Sequence, residues 1–337
     1  MRQPIKKRGG REMTVKDFVI EAKSRLNDYL EKNELNWVTA EETEVVKAND
    51  ERLHGLILRR EGELYAATVY LDDFYEKLDE GEDLEDVLDS FVDACVDSLL
   101  MEAPPCIHAM DMTLDKVRGR LSVRLLDART NKSYMDKRPY IDAGCGLVMI
   151  AYINSEESVT SEWKIAVTDD LVREMGCSKE TVLAEAMANT MNLEKPVLCR
   201  LRDMVTGDTE MNFAGQELTF RDATGDECRE PLVLTNTSSF FGAAVLFYPG
   251  MLEKAGSVIG GGYSIIPSSV HEVILIPDRM SRDLYSMQRM LLEGNLETVA
   301  RGDFLSGVIY HYNPGDERIR IATADLLRRS QDDRIAS

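Results

Sequence analysis

Hydrophobic residues recur at three- and four-residue steps in two early stretches of the chain, a spacing typical of amphipathic helices. These stretches cover residues 15–30 and 84–100, and Phe91 lies in the middle of the second apolar stripe. Between them, three apolar runs separated by short polar turns predict an antiparallel meander at residues 44–47, 52–60 and 63–71. Residues 13–105 are therefore predicted to form a module of a helix, a small sheet and a second helix.

The middle of the chain mixes helical and extended patterns. The predicted elements are a helix at residues 114–126, strands at 146–153 and 163–168, and helices at 169–175 and 178–191. Together they define a middle module at residues 110–195. The polar and weakly patterned stretch that follows, residues 196–230, is predicted to be an irregular or inserted segment.

The remaining pattern predicts a C-terminal module at residues 231–322. Its predicted elements are strands at 232–235, 241–248, 263–266 and 270–276, a helix from Pro249, a helix at 281–292, and a hairpin of strands 308–312 and 318–321. Residues 1–12 are interpreted as a flexible N-terminal extension, with Met13 as an alternative start, and residues 323–337 as a tail. The predicted class is α+β, with helix-covered antiparallel sheets in two or three modules.

Composition and charge narrow the function classes. The 337 residues include 40 Lys and Arg against 60 Asp and Glu, a formal net charge of −20. Such an excess argues against direct binding to nucleic acid or to anionic lipid. Every apolar run of membrane-spanning length is interrupted by polar residues, so no membrane segment is predicted. Six scattered cysteines without a C-x-x-C pair indicate reduced thiols and a cytoplasmic location.

Four segments of the chain resemble the signatures of a known family. Two lie near the N-terminus, Arg52-Leu-His-Gly-Leu-Ile-Leu and Ala67-Thr-Val-Tyr-Leu-Asp-Asp-Phe-Tyr-Glu, and two lie in the C-terminal module, Phe241-Gly-Ala-Ala-Val-Leu-Phe-Tyr-Pro-Gly and Ile266-Pro-Ser-Ser-Val-His-Glu-Val. They resemble, in the same order, a bacterial family of domains of unknown function common in clostridial anaerobes. The chain departs from it at Ala66-Ala67, where relatives often have serine-proline. The resemblance covers residues 14–322 and implies no assigned activity.

The segment Pro267–Glu272 offers a hydroxyl, an imidazole and a carboxylate within a few residues. Ser268, Ser269, His271 and Glu272 are thus candidates for a hydrolase-like or metal-assisted site. If a strand runs on from Val270, however, His271 and Glu272 point to opposite faces and cannot act as a base and its orienting carboxylate. A structural turn in which His271 anchors the next strand is the favoured interpretation. The sequence contains no H-E-x-x-H metal motif and no phosphate-binding glycine loop, so no metal or cofactor is predicted.

Negative charge is concentrated at residues 72–102, which contain thirteen acidic residues and one lysine. Asp86, Asp89, Asp93 and Asp97, here called the acidic ridge, recur opposite the apolar stripe of the second helix. The ridge is either a solvated helix face, which is the simpler interpretation, or a docking surface for a basic protein partner. The sequence does not determine a function. The leading hypothesis is a cytoplasmic, non-catalytic binding or interaction protein, and the alternative is an enzyme centred on His271.

Overall fold

The computed structural model describes residues 13–62, 66–100, 112–157, 160, 164–206, 230–280 and 283–322. Two compact units are distinguished, one formed by Met1–Lys47 and Glu51–Met110, the other by Ala48–Asp50 and Asp111–Ser337. Each unit consists of helices and antiparallel sheet, which confirms the predicted α+β class. The predicted N-terminal extension and the predicted tail lie outside the described residues.

Unit 1 contains helices α1 (Val15–Lys32), α2 (Asp72–Asp79) and α3 (Leu84–Leu100) and strands β1 (Val38–Val46), β2 (Arg52–Arg60) and β3 (Ala66–Tyr70). The strands form an antiparallel sheet in the order β1-β2-β3, which confirms the predicted meander. Helix α1 starts with a capping box, in which the Thr14 hydroxyl accepts from the Asp17 N–H and the Asp17 carboxylate accepts from the Thr14 N–H. The sequence pattern did not predict α2, and it placed the start of β1 six residues late.

Helix α3 buries one face against α1, α2 and the sheet. The buried side chains are Val87, Leu88, Phe91, Val92, Cys95 and Leu99. Phe91 is fully buried, as predicted, and its ring meets the Phe74 ring edge-on at 5.4 Å between centroids. Burial also raises the pKa of the Cys95 thiol to about 12. The hydrophobic stripe therefore fixes which face of α3 is left to solvent.

The first sheet of unit 2 is built around β6. Its elements are α4 (Leu114–Val117), β4 (Leu121–Asp127), β5 (Tyr140–Gly144), β6 (Leu147–Asn154), β7 (Lys164–Ala166), α5 (Asp169–Glu174) and α6 (Lys179–Leu193). Strands β4 and β5 flank β6 in the order β4-β6-β5, and β7 pairs with the end of β6. Every residue of β4 and β6 is buried. The Ser178 hydroxyl caps α6 by accepting from the Thr181 N–H, as its position in the sequence predicted.

The second sheet of unit 2 has six antiparallel strands. The elements are β8 (Pro196–Arg200), α7 (Leu201–Thr206), β9 (Leu232–Asn236), α8 (Met251–Ile259), β10 (Tyr263–Pro267), β11 (Val273–Pro277), α9 (Leu284–Thr298), β12 (Tyr310–Tyr312) and β13 (Arg320–Ile321). The strand order is β13-β12-β10-β11-β9-β8. The hairpin of β10 and β11 lies at its centre, with Ile265 opposite Leu275. In the described part of the chain, no helix is long and apolar enough to cross a membrane.

Two element predictions were wrong. The helix predicted at residues 114–126 ends at Val117, and the chain enters β4 after a 3-10 turn at Arg118–Arg120, because residues 121–127 are buried on both faces. The strand predicted at residues 241–248 is a 3-10 helix, Gly242–Phe247. A continuous apolar run fits a buried strand or a buried helix equally well, and tertiary packing decides between them.

Several boundaries also differ from the prediction, and two of them concern the candidate site and the segment predicted to be irregular. Strand β11 begins at Val273 instead of Val270, so that residues 268–272 form the turn between β10 and β11. The segment predicted to be irregular, residues 196–230, begins with regular structure, since β8 pairs with β9 along its whole length. Residues 207–229 lie outside the described residues.

Candidate functional site

The turn between β10 and β11 contains the candidate residues Ser268, Ser269, His271 and Glu272. The Ser269 hydroxyl accepts a hydrogen bond from the His271 backbone N–H at 3.0 Å, and the Ser269 N–H donates to the Glu272 carbonyl at 3.2 Å. Val270 is fully buried, and its N–H donates to the Asp303 carbonyl at 2.9 Å. The Ser269 hydroxyl is therefore part of a closed turn, as is typical of serine in such loops.

Both ring nitrogens of His271 face protein groups. Nδ1 accepts a hydrogen bond from the Phe241 backbone N–H at 3.2 Å, and Nε2 lies 3.4 Å from Oδ1 of Asp303. Because Nδ1 is an acceptor, the neutral ring carries its proton on Nε2, on the side of Asp303. Among the described contacts, the imidazole makes no hydrogen bond to Ser268 or Glu272. His271 therefore contacts the Ser269 hydroxyl through its backbone N–H and not through its ring.

The loop that carries Phe241 is held in an uncommon backbone conformation. Ser239 and Phe241 both have a φ of 55°, which costs on the order of 1–3 kcal/mol for each residue. The Asn236 side chain stabilises the loop by accepting from the Phe240 N–H at 3.1 Å and donating to the Phe240 carbonyl at 2.8 Å. The buried carboxylate of Glu194 accepts from the Ser238 N–H and the Thr237 hydroxyl, both at 3.0 Å.

Gly242 allows the loop and the His271 turn to approach each other. A Cβ atom at this position would lie 2.2 Å from Oγ1 of Thr235 and 2.5 Å from the His271 carbonyl oxygen. The Thr235 hydroxyl itself donates to that carbonyl at 2.8 Å. The two signature segments of the C-terminal module therefore meet at one place, through a glycine that no larger residue could replace without displacing backbone.

Two cations cover the aromatic rings beside His271. The Arg124 guanidinium lies 4.7 Å from the centroid of Phe241, and the Lys164 ammonium lies 4.7 Å from that of Phe240 and 5.8 Å from that of Phe241. The imidazole stacks on the Phe241 ring at 5.7 Å with only 12° between the planes. Burial lowers the pKa of Lys164.

Arg124 also holds the segment that supplies Asp303. Its Nη2 donates to the Gly302 carbonyl and lies 3.8 Å from Oδ1 of Asp303, and its side chain is only 10% exposed. Arg124, Phe241 and Asp303 were not predicted as site residues. The signature around Gly242 was the one signal that could have suggested Phe241. The residues next to Arg124 and Asp303 form no motif that would have indicated a site.

The acidic ridge lies in unit 1, on the solvent side of α3. Asp86, Asp89, Asp93 and Asp97 are all exposed. Asp89 accepts a hydrogen bond from Nη2 of Arg25 at 2.7 Å, and the same guanidinium lies 3.1 Å from Glu85. In the part of the chain that the structure describes, the other three ridge carboxylates form no ion pair. Nor do the described residues contain a group of three or more His, Cys, Asp or Glu side chains placed to hold a metal ion.

Taken together, the fold defines an α+β protein of two units, with a histidine-centred loop cluster in one unit and an acidic helix in the other. Residues 15–314 match the family of unknown function DUF5688, and the chain belongs to this family. Comparison with curated proteins and with solved structures gave no significant match.

Proposed function

We propose that the protein is a cytoplasmic, non-catalytic interaction protein whose acidic ridge docks a basic protein partner. The proposal is based on the exposure of the ridge carboxylates and on their ion pairing. Three of the four, on Asp86, Asp93 and Asp97, are exposed and lack an ion pair with any described residue, while the opposite face of α3 forms the core. The free thiols of Cys95, Cys145, Cys177 and Cys199 support the cytoplasmic location.

The ridge has the electrostatics of a docking surface. Residues three or four apart on a helix have Cβ atoms about 5–6 Å from one another, and each like-charged pair costs roughly 0.2–0.5 kcal/mol. A partner that presents Lys or Arg to the ridge would replace these repulsions with attractions. The electrostatic field of the acidic ridge extends over about 8–10 Å at physiological ionic strength. This range is enough to accelerate the encounter with a cation-rich surface.

The contacts of His271 favour this proposal over a hydrolase centred on Ser268, Ser269, His271 and Glu272. A general base needs a ring nitrogen with its lone pair directed at the nucleophile. The lone pair of Nδ1 is instead occupied by the Phe241 N–H, and the Ser269 hydroxyl accepts from the His271 N–H. His271 is accordingly proposed to be a positioning residue for the turn and the loop.

The proposal is tested by comparing proteins captured from a lysate of the source cells. The ridge variant, Asp86→Asn with Asp93→Asn and Asp97→Asn, keeps the Arg25–Asp89 pair and changes the net charge by three. A control variant, Glu174→Gln with Glu253→Gln and Glu317→Gln, makes the same charge change at exposed positions of unit 2.

We expect wild type and the control variant to retain a basic protein that the ridge variant loses. That protein should elute as salt is raised from about 50 to 300 mM, because exposed charges are then screened. Identical captured proteins for the ridge and control variants would contradict the proposal.

A further inference from the structure

A second candidate site lies at the open end of the β1–β2 hairpin in unit 1. A cavity of about 180 Å³ is lined there by Asn36, Trp37, Thr39, Arg59, Arg60 and Glu61. This volume is below the range of roughly 300–1,000 Å³ that is usual for drug-sized ligands, so a ligand that fits the cavity is smaller than a typical drug. The cavity does not involve the acidic ridge.

Strand register places four of the lining side chains on one face of the sheet. Thr39 pairs with Arg59, and the Glu61 N–H donates to the Trp37 carbonyl at 2.8 Å. Residues two positions apart on a strand share a face, so Trp37 lies beside Thr39 and Glu61 lies beside Arg59. An indole, a hydroxyl, a guanidinium and a carboxylate therefore surround one small volume.

Arg59 and Glu61 supply the two charged groups on this face. Arg59 and Glu61 are both exposed, and within the described residues neither of them forms an ion pair, with the other or with a third residue. Trp37 is 45% exposed, although an indole normally buries most of its large apolar surface. The indole face of Trp37 thus lies next to a cation and an anion that form no ion pair with any residue the structure describes.

We infer that this cavity binds a small zwitterion, namely a free amino acid with an apolar side chain. Its carboxylate would pair with the Arg59 guanidinium, its ammonium group with the Glu61 carboxylate, and its side chain would pack on Trp37. A simple anion would leave Glu61 next to a like charge, and a neutral sugar would leave both charges without a counter-charge. A zwitterion satisfies both.

The test uses the fluorescence of Trp37 in the full chain. The sequence contains two tryptophans, so a Trp163→Phe background leaves Trp37 as the single reporter. The probes are L-phenylalanine and L-leucine, together with 3-phenylpropionate, which lacks the ammonium group, and phenethylamine, which lacks the carboxylate. We expect saturable changes with the two amino acids and at least about tenfold weaker binding of each single-charge analogue, a difference of about 1.4 kcal/mol.

Two charge variants make the assignment of the groups specific. Arg59→Gln should lower the affinity for phenylalanine to that of the wild-type site for phenethylamine. Glu61→Gln should lower it to that of the wild-type site for 3-phenylpropionate. The matched controls, Lys32→Gln and Glu31→Gln, change exposed charges of α1 and should leave binding unchanged. Equal binding of phenylalanine and 3-phenylpropionate by the wild-type site, or no saturable change with either amino acid, would overturn the inference.

Discussion

Replacing Gly242 with alanine should loosen the contact between the Phe241 loop and the His271 turn. The added Cβ would lie 2.2 Å from Oγ1 of Thr235, 2.5 Å from the His271 carbonyl oxygen and 2.7 Å from the Asn236 nitrogen. Two of these atoms belong to the backbone, so relief requires the turn to move away. Overpacking of this kind costs about 1–3 kcal/mol.

The displaced turn would also lose two hydrogen bonds. These are the bond from the Thr235 hydroxyl to the His271 carbonyl, at 2.8 Å, and the bond from the Phe241 N–H to Nδ1 of His271, at 3.2 Å. Each contributes about 0.5–1.5 kcal/mol, which brings the expected loss to about 2–6 kcal/mol. At about 1.4 kcal/mol for each factor of ten, amide exchange through opening of this region should accelerate roughly 30- to 20,000-fold.

Hydrogen exchange resolved by mass spectrometry measures this effect locally, in peptides that cover β9 and the turn before β11. Gly261→Ala is the matched control, because no heavy atom lies within 4 Å of its Cβ position. The control should change the opening free energy by less than about 1 kcal/mol. Equal exchange in the two variants would refute the close approach at Gly242 and, with it, the anchoring role of His271.

Four further predictions concern Phe91, Cys95 and His271. Phe91→Ala should lower the unfolding free energy by about 3–5 kcal/mol in a denaturant titration, whereas Leu100→Ala, at a position 76% exposed on the same helix, should change it by less than about 0.5 kcal/mol; equal effects would mean that α3 is turned the other way. Because burial raises the pKa of Cys95 to about 12, its thiol should resist Ellman's reagent at pH 8 in the native state and react after unfolding. The pKa of the Cys95 thiol is ordinarily 9.0 and is about 12 in the folded protein, so between these pH values only the unfolded thiol ionises. Cys95 should therefore make folding less favourable as the pH rises above 9.0, and Cys95→Ala should remove this effect. Nitrogen-15 NMR should find the neutral His271 ring protonated at Nε2, and a proton on Nδ1 would contradict the bond from Phe241.

Local patterns predicted the elements that are set by local physics. Helix α1 and helix α3 follow from apolar spacing, and α6 from the Ser178 cap that begins it. The pattern failed where a run of apolar residues is compatible with two conformations. At residues 241–248 the backbone conformation depends on the positive φ of Phe241 and on the close approach of the His271 turn to Gly242. Both are consequences of tertiary contacts.

The candidate site shows the same division. Ser269 and His271 are two residues apart, so a closed turn between them was predictable from the sequence. Phe241 and Asp303 reach the imidazole from distant parts of the chain, and Arg124 lies over the Phe241 ring. Their convergence depends on how β4, the 3-10 helix Gly242–Phe247 and the β10–β11 hairpin pack, and a single sequence carries no local signal of that packing.

Docking of a basic partner on the acidic ridge is tested most directly by the association rate constant of the captured partner. It should be measured at low and at moderate salt for wild type, for the ridge variant at Asp86, Asp93 and Asp97, and for the charge-matched control variant. The proposal predicts an association at least about tenfold slower for the ridge variant at low salt, and a much smaller change for the control. It also predicts that added salt removes most of the difference between wild type and the ridge variant. Equal rate constants for the ridge and control variants at low salt would contradict the account.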